Sequence, residues 1–349
     1  MSPRVLAAFA AHGGVLTREQ TLDLGLPPSE VRRLVRRGEW VRLRRGVYTT
    51  AELWTSLDDR GRRRLLARAV IATMKRGWVL SHGSSADEHD LATLVPKEPY
   101  VHVTRPGFTN AWTENGVKHH LARFAHRQVV ELNGVRTLDL ARTAVDIARE
   151  DGLEAGVVAC DSSMNKGISR TELEVAYAPM ESWPFVTVVR RAVELADGGA
   201  ENPHESLGRL LVIEAGIGDP DTQFPVRTPE GIKWCDIRVG NHVIETDGRV
   251  KYRSVEEGGV ALRPADEVAF EERKRERLVR DQGLGVTRLY WEDYWGARRA
   301  AAIRRLQADH ADSCARFGPE LSERLAREAE AIRKQYGDRR RHPQGPTPA

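Results

Sequence analysis

Two acidic residues, Asp236 and Glu245, are predicted to face each other in a β-hairpin. Residues 232–239 and 242–247 have the pattern of two strands, and Gly240-Asn241 between them suits a two-residue turn. The register set by that turn places Asp236 opposite Glu245, with their Cβ atoms roughly 4.5–5.5 Å apart. Two carboxylates at this distance repel each other. A divalent cation bound between them would remove that penalty.

Three further residues could complete such a site. Asp247 shares the face of Glu245, and Lys251 follows within reach of a phosphate. Glu205 lies in the first turn of a helix predicted over residues 203–215. Magnesium favours sparse carboxylate sites that water and phosphate oxygens complete, so we expect Mg²⁺ or Mn²⁺ as the cofactor. The alternative is structural: Arg238, diagonal to Glu245, neutralises the acidic pair in a salt-bridged surface hairpin.

The order of these residues resembles the PD-(D/E)xK nuclease superfamily, and specifically its very-short-patch-repair-like endonuclease domains. The resemblance rests on three stretches, namely Asn202-Pro203-His204-Glu205-Ser206, Asp236, and Glu245-Thr246-Asp247-Gly248-Arg249-Val250-Lys251. It implies a restriction-endonuclease-like α/β domain over residues 201–297. Other signatures are missing from the sequence: there is no phosphate-binding GxxxxGK[ST] loop, no third glycine after Gly283-Leu284-Gly285 and no GxSxG elbow.

Carried over position by position, the resemblance assigns a role to each residue. Asp236 and Glu245 would be metal ligands, and Glu205 would be an acid near the metal. Asp247 is a third candidate ligand because it shares the face of Glu245, not because of the resemblance. Lys251 would be the cationic group, so the predicted catalytic set is Glu205, Asp236, Glu245 and Lys251. The sequence departs from the family at one point, because the lysine of a strict Glu-x-Lys motif would fall at Asp247.

The first 50 residues are predicted to form a winged helix-turn-helix that binds duplex DNA. Residues 1–76 hold 16 basic and 7 acidic residues, a net charge of +9, whereas residues 201–297 carry −5. Thr17 and Gln20 fit a capping box for the second helix, and Ser29 could cap a third helix that ends at Arg37. Gly46 lies near the tip of a hairpin wing.

Seven arginines are the candidate DNA contacts. On the third helix they could meet base edges, and on the wing they could meet phosphates. They are Arg32, Arg33, Arg36 and Arg37 on the helix, and Arg42, Arg44 and Arg45 on the wing. The alternative is a solvated basic face on an ordinary three-helix module.

The N-terminal segment resembles the winged helix of AbiEi-type antitoxins. The resemblance rests on Gly14-Val15-Leu16-Thr17 and Arg45-Gly46-Val47-Tyr48, and continues over residues 58–197 in Ser81-His82, His102-Val103-Thr104 and residues 142–146. It implies a regulator that binds DNA and has a toxin or defence-system protein as its partner.

The middle segment is predicted to be α/β without chemistry of its own. A linking helix is expected over residues 58–76, short strands at 78–80, 100–103 and 129–130, and a helix at 137–147. Asp139 and Asp146 flank Arg142 at helical spacing, which predicts a salt bridge. Four histidines lack metal-ligand spacing and are expected to be structural or at the surface: His82, His89, His119 and His120.

The amino-acid composition of the chain indicates its class of protein and its compartment. The chain has 349 residues, 40% of them hydrophobic and 30% charged, which indicates a soluble α/β multidomain protein. It contains no apolar stretch long enough to cross a bilayer. Cys160, Cys235 and Cys314 lie far apart, which fits neither a disulfide framework nor a zinc site and predicts a cytoplasmic protein. Residues 298–336 are expected to form a charged helical tail, and residues 337–349 to be disordered.

Two classes of function follow from these observations. The leading one is DNA binding joined to metal-dependent phosphodiester hydrolysis, in phage defence or DNA repair. The rival is a non-enzymatic antitoxin-like repressor that keeps the nuclease fold as an interaction body. Hydrolysis of RNA instead of DNA is a third alternative, and the sequence leaves the oligomeric state open.

Overall fold

A computed structural model describes residues 1–75, 77–97, 99–108, 110–247 and 265–337, the first five of the last range by their backbone alone. The predicted catalytic residue Lys251 lies outside the described residues, as do residues 338–349 of the expected disordered end. The described chain forms two compact units. Unit 1 comprises Met1–Ala159 with Thr171–Val193, and unit 2 comprises Cys160–Arg170 with Glu194–Ala349.

Unit 1 begins with three helices and a small antiparallel sheet of strand order β1-β3-β2. These elements are α1 (Pro3–Ala11), β1 (Leu16–Thr17), α2 (Arg18–Asp23), α3 (Pro28–Arg36), β2 (Trp40–Arg44) and β3 (Val47–Thr50). Their core is built around Phe9 and Trp40, whose rings meet edge to face at 5.0 Å. This order of helices and strands is consistent with the predicted winged helix.

The capping of α2 and α3 is set by local sequence. Thr17 and Gln20 form the predicted capping box, with the Gln20 side chain accepting the Thr17 N–H at 2.7 Å. The predicted Ser29 cap is wrong, because α3 begins at Pro28 with Pro27 as its N-cap. Proline suits the first helical position, where its missing N–H would have no partner in the helix.

The rest of unit 1 contains a six-stranded mixed sheet of order β6-β7-β5-β4-β9-β8. Its strands are β4 (Val79–Leu80), β5 (Val101–Arg105), β6 (Asn110–Glu114), β7 (Val117–Leu121), β8 (Val129–Leu132) and β9 (Val135–Leu138). The helices between and after them are α4 (Ala51–Ser56), α5 (Asp59–Ile71), α6 (His82–Glu88), α7 (Leu140–Asp151), α8 (Leu153–Asn165), α9 (Arg170–Tyr177) and α10 (Val186–Leu195), of which α8, α9 and α10 extend past the limits of unit 1.

The helix predicted over residues 137–147 starts later than expected. Thr137 and Leu138 belong to β9, and Asp139 caps α7 by accepting the Arg142 N–H at 2.7 Å. The predicted ion pair is present, with Arg142 Nε 2.9 Å from an Asp146 oxygen and both side chains 1% exposed.

Unit 2 contains a helix, three antiparallel strands, a second helix and a fourth strand parallel to the third. They are α11 (Pro203–Ala215), β10 (Asp221–Thr228), β11 (Gly231–Val239), β12 (His242–Asp247), α12 (Ala265–Arg280) and β13 (Gly285–Tyr290). The sheet order is β10-β11-β12-β13. The predicted hairpin register is confirmed for Val239–His242, but the β11–β12 ladder stops at Ile237–Ile244 and does not include Asp236 and Glu245.

Two long helices end the described chain, namely α13 (Gly296–Phe317) and α14 (Glu323–Tyr336). Both were expected in a charged tail, yet both contribute to the core of unit 2. Leu306 is fully buried, and Leu325 and Ala329 join the core cluster of the sheet. The charged composition of the two helices led to the expectation of a tail outside the core, because only one stripe of each helix is apolar. Within the described residues, no helix combines the length and apolar composition needed to cross a bilayer.

Candidate functional site

The arginines of α3 fall into two groups. Arg33 is 2.5 Å from a Glu30 oxygen, and Arg37 is 2.9 Å from a Glu39 oxygen. Arg32 and Arg36 lie one turn apart, are exposed and have no ion pair within the part of the chain that the structure describes. Residues four apart share one face of a helix, so Arg32 and Arg36 present two guanidinium groups to the same side.

The wing arginines also differ from one another. Arg42 and Arg45 are exposed, and Gly46 at the tip adopts the left-handed conformation, with φ of 75°. Arg44 is half-buried, and its Nη1 is buried without a hydrogen-bond partner among the described residues. Burial lowers the pKa of Arg44. Arg44, one of the predicted phosphate contacts, is therefore turned partly towards the protein.

The predicted carboxylate residues of unit 2 lie around an irregularity in β11. In a regular strand, residues two apart share a face. Cys235 packs with Val243 in the core cluster. Ile237 lies on the side of the sheet that faces α11, because its Cδ1 atom would be 3.2 Å from a Cβ atom added to Gly208. Cys235 and Ile237 therefore lie on opposite faces of the sheet, and the strand is irregular at Asp236 between them. The Oδ2 atom of Asp236 accepts hydrogen bonds from the Thr246 backbone N–H and from the Thr246 hydroxyl, both at 2.7 Å.

Glu205 occupies a buried position at the start of α11 and is surrounded by donors. Its oxygens accept from the Glu201 N–H at 2.7 Å, the Asn202 amide at 2.5 Å and the Gln223 amide at 3.1 Å. Gln223 has a left-handed backbone, with φ of 50°, inside β10. A non-glycine residue held there stores strain, and such strain clusters at functional sites. Burial, and then the charge of Asp236, raise the pKa of Glu205 well above its usual range.

Glu245 and Asp247 face α12 and β13 and line a pocket of about 40 Å³. Glu245 lies 3.6 Å from Arg275, and Asp247 lies 3.2 Å from Arg288. Burial, and then the charge of Asp236, raise the pKa of Glu245 to about 7. Arg238, the partner suggested by the structural alternative, pairs with Asp221 at 2.9 Å, so Arg275 of α12 supplies the cation near Glu245.

The described carboxylates do not form a closed cluster of metal ligands. Glu205, Asp236, Glu245 and Asp247 do not form a set of three ligand atoms within 4.8 Å of one another in the described chain. Asp236 is the member whose charge acts on both Glu205 and Glu245. Magnesium commonly takes one or two carboxylates and keeps several waters, so Asp236 with one of these neighbours would suffice.

Sequence reasoning missed several residues around these carboxylates. Thr246 and Gln223 hold Asp236 and Glu205 by hydrogen bonds, and Arg275 and Arg288 face Glu245 and Asp247. Thr246 lies between two predicted site residues in the sequence, and this position could have identified it as part of the site. The other three lie on elements that only the tertiary fold brings to the site.

Comparison with known families supports the N-terminal assignment. Residues 3–51 match the family described as a transcriptional regulator, the AbiEi antitoxin. The match covers the three helices and the wing. It confirms the resemblance of this segment to AbiEi-type antitoxins and supports a DNA-binding regulatory role. The nuclease resemblance of residues 201–297 stays a prediction.

Similarities to individual proteins are shorter or weaker. Two uncharacterized proteins of Mycobacterium tuberculosis, MT2308 of strain CDC 1551 and Rv2248 of strain H37Rv, are each 30% identical over 95 residues. The match covers 27% of this chain, which spans 35% of the length of each relative. A crystal structure of the M. tuberculosis protein Rv2827c is 19% identical, covering 58% of this chain and 78% of that one, with a TM-score of 0.38, too low to inform the fold or the function.

Proposed function

We propose that this protein is a DNA-binding transcriptional regulator that reads duplex DNA with α3. The observation on which the proposal rests is the division of the α3 arginines. Glu30 and Glu39 hold Arg33 and Arg37, whereas Arg32 and Arg36 are exposed on one face and have no ion pair among the described residues. An arginine can donate two hydrogen bonds to the O6 and N7 atoms of guanine in the major groove.

The wing would add affinity without sequence preference. Arg42 and Arg45 can contact phosphates on either side of the groove that α3 enters, because backbone contacts fix the position of a winged helix. Each phosphate neutralised releases counterions, which makes such binding salt-dependent. A toxin as a second partner would fit the AbiEi match of residues 3–51.

The test is site selection by the full chain from a pool of random duplexes. We expect wild type to enrich a sequence with guanines. Replacing both Arg32 and Arg36 by Ala should lower discrimination by about 1–3 kcal/mol for each guanine that is no longer read. The matched control replaces Arg33 and Arg37 by Ala, which removes the same charge and should retain most of the discrimination. Equal losses in both double variants would contradict the proposal.

A second candidate function is magnesium-dependent phosphodiester hydrolysis by unit 2. It is favoured by the position of Asp236, whose charge raises the pKa of both Glu205 and Glu245. Buried acids that repel one another in this way are the environment that a divalent cation neutralises. Asp236 with Glu205 or Glu245 would hold the ion, which supplies activation of a water and stabilisation of charge on the phosphate.

The chain's own residues would position this site. Thr246 fixes one oxygen of Asp236 through two hydrogen bonds, and the other oxygen would bind the ion. Gln223 and Asn202 orient Glu205. Lys251, the predicted cationic group, remains part of the proposal on the sequence resemblance alone.

The test is incubation of the full chain with supercoiled DNA and with RNA, each with and without Mg²⁺ or Mn²⁺. We expect magnesium-dependent nicking of DNA that Asp236→Asn and Glu245→Gln each reduce by two orders of magnitude or more. Glu214→Gln is the control, because Glu214 is an exposed acid on α11 that pairs with Arg299. If wild type cuts no substrate, the regulator proposal stands without hydrolysis.

A further inference from the structure

A pocket of about 70 Å³ inside unit 1 is lined by parts of α5, α6, β5 and α7 and by the loop before β5. Much of its wall is apolar, with contributions from Leu66, Val101 and Ile147. Val95 and Tyr100 also line the pocket and are each 47% exposed, so they lie at its opening. The pocket is therefore accessible to a small molecule from the solvent.

The charges that line the pocket are not balanced. Among the described residues they belong to Arg63, Asp87 and Asp151. Arg63 and Asp87 neutralise each other through two hydrogen bonds of 2.7 Å. The Asp151 carboxylate has no ion-pair or hydrogen-bond partner in the part of the chain that the structure describes. The pocket therefore carries one negative charge without a partner.

The position of Asp151 in its helix makes this charge unfavourable. Asp151 is the last residue of α7, where the backbone carbonyls create a partial negative charge that disfavours an acid. Burial, and then the charge of Glu150, raise the pKa of Asp151 to about 6. A positively charged ligand beside Asp151 would offset both effects.

The cations around the pocket are paired with acids of their own. Lys118 forms an ion pair with Glu150. Arg60 lies 3.3 Å and Arg64 lies 2.6 Å from the same oxygen of Asp90. These pairs leave Asp151 as the acid that a ligand could neutralise.

Two further basic residues near the pocket do not oppose a cation. His102 lines the pocket as a neutral imidazole, because burial lowers its pKa to about 4. Arg149 precedes Asp151 by two positions, and residues two apart on a helix point about 200° away from each other. The Arg149 guanidinium packs 5.6 Å from the Trp183 ring.

An alkylammonium ion has the two properties that this pocket requires. Its charged end could pair with Asp151 and contact the ring of Tyr100, because cations are attracted to aromatic faces. Its methylene groups could cover the apolar wall at Leu66 and Val101. A pocket of this volume holds a few methylene groups and is too small for a nucleotide.

We infer that this pocket binds a small organic cation with an alkylammonium group through Asp151, either a free primary amine or a lysine side chain of a partner protein. A small oxyanion is not expected, because Asp151 would repel it. The inference involves neither the arginines of α3 nor the carboxylates of unit 2, so it holds or fails independently of the functions proposed above.

The test measures binding of n-butylammonium to the full chain by saturation-transfer NMR. The comparison probes are 1-butanol and butyrate, which share the chain length and differ in charge. We expect butylammonium to bind with a dissociation constant of about 1 mM, butanol to bind about tenfold more weakly and butyrate to show no binding. Absence of butylammonium binding, or equal binding of butanol, would overturn the inference.

A second cation distinguishes the two sources of the ammonium group. Nα-acetyl-lysine methylamide carries the same alkylammonium chain on a peptide backbone. Tighter binding of this probe than of butylammonium would identify the ligand as a lysine side chain of a partner. Weaker binding would identify it as a free amine.

Variants assign the binding to this pocket. Asp151→Asn removes an acid that the end of α7 disfavours, so it should fold, and it should weaken butylammonium binding about tenfold without changing that of butanol. Glu131→Gln is the matched control, because Glu131 is an exposed acid on β8 that does not line the pocket.

A second variant fills the pocket. Gly83 lines it, and a Cβ atom there would meet nothing within 4 Å, so Gly83→Leu has room for its side chain. This variant should abolish binding of both butylammonium and butanol. Unchanged butylammonium binding in Asp151→Asn or in Gly83→Leu would contradict the inference.

Discussion

Asp236 is the residue on which the proposed chemistry of unit 2 depends. Its charge acts on Glu205 and on Glu245, and Thr246 holds it in place from the neighbouring strand. The carboxylates of Glu205 and Glu245 are therefore both repelled by the carboxylate of Asp236. In the absence of a cation, this arrangement costs stability, and the cost depends on pH.

Glu245→Gln should remove part of that pH dependence. The folded state raises the pKa of Glu245 from 4.5 to about 7, so it binds the proton more tightly than the unfolded chain does. The free energy of unfolding therefore falls as pH rises between these values, by up to about 1.4 kcal/mol per pH unit. We expect Glu245→Gln to match wild type near pH 4.5 and to exceed it at pH 8, measured by chemical denaturation without divalent ions.

The exposed acid Glu214 provides the comparison. Glu214→Gln should keep the wild-type slope across the same window. If Glu245→Gln also keeps that slope, the Glu245 carboxyl titrates like an exposed group and does not experience the charge of Asp236.

The sequence predicted site residues well where a motif identifies them, and poorly where only the tertiary fold brings them together. Glu205, Asp236 and Glu245 were found from their order in the sequence. The irregularity of β11 at Asp236, however, lies opposite the left-handed Gln223 of β10, which no local pattern reveals. The convergence of the buried residues His82, His102 and His120 was not predicted, because they lie 20 and 18 positions apart, on a helix and two strands.

At the scale of elements, the close packing of α11 on the sheet determines the geometry around Asp236. A Cβ atom on Gly208 would lie 2.8 Å from Thr246 Cγ2 and 3.2 Å from Ile237 Cδ1. Thr246 cannot rotate away without breaking its hydrogen bond to Asp236. Glycine therefore lets the helix approach the two strands at this point.

Gly208→Ala should destabilise the protein by about 1–3 kcal/mol, because overpacking outweighs the gain in helix propensity. Thermal or denaturant unfolding would measure the change. Gly83→Ala in α6 is the matched control, since a Cβ there meets nothing within 4 Å. It should be neutral or stabilising by up to about 1 kcal/mol. A stabilising Gly208→Ala would show that α11 does not pack as closely as described.

A buried ion pair holds α11 to the end of α8 within unit 2. Arg209 lies 3.0 Å from an Asp161 oxygen, and their side chains are 5% and 1% exposed. Arg209→Met should cost about 3–5 kcal/mol, because it leaves the Asp161 charge buried without its partner. Adding Asp161→Leu to that variant should recover part of the loss. No recovery in the double variant would mean that Arg209 stabilises unit 2 by packing alone.

Helices and strands were predicted best where the hydrophobic periodicity agreed with the capping and turn residues. The capping box of α2 and the turn of the β11–β12 hairpin were found at their observed places, and α13 and α14 make up most of the helical tail expected over residues 298–336. Strands β6, β7 and β9 were missed, and Thr137 and Leu138 were assigned to the following helix. Short strands with polar residues on one side give a weak alternation, and their partners are distant in sequence.

At the scale of the whole molecule, the net charge differs between the N-terminal segment and unit 2. Residues 1–76 carry +9 and residues 201–297 carry −5, so DNA affinity should come from the first segment. The winged helix belongs to unit 1 and the predicted site carboxylates belong to unit 2.

The salt dependence of duplex binding by the full chain tests the central claim most directly. Log affinity should fall linearly with log salt, and replacing Arg42 and Arg45 by Ala should flatten the slope by about 0.9 for each phosphate that is no longer neutralised, equally on selected and random duplex. Replacing half-buried Arg44 by Ala should change the slope less than either of these. Binding without salt dependence, or a slope that the Arg42 and Arg45 substitutions leave unchanged, would contradict DNA recognition by this winged helix.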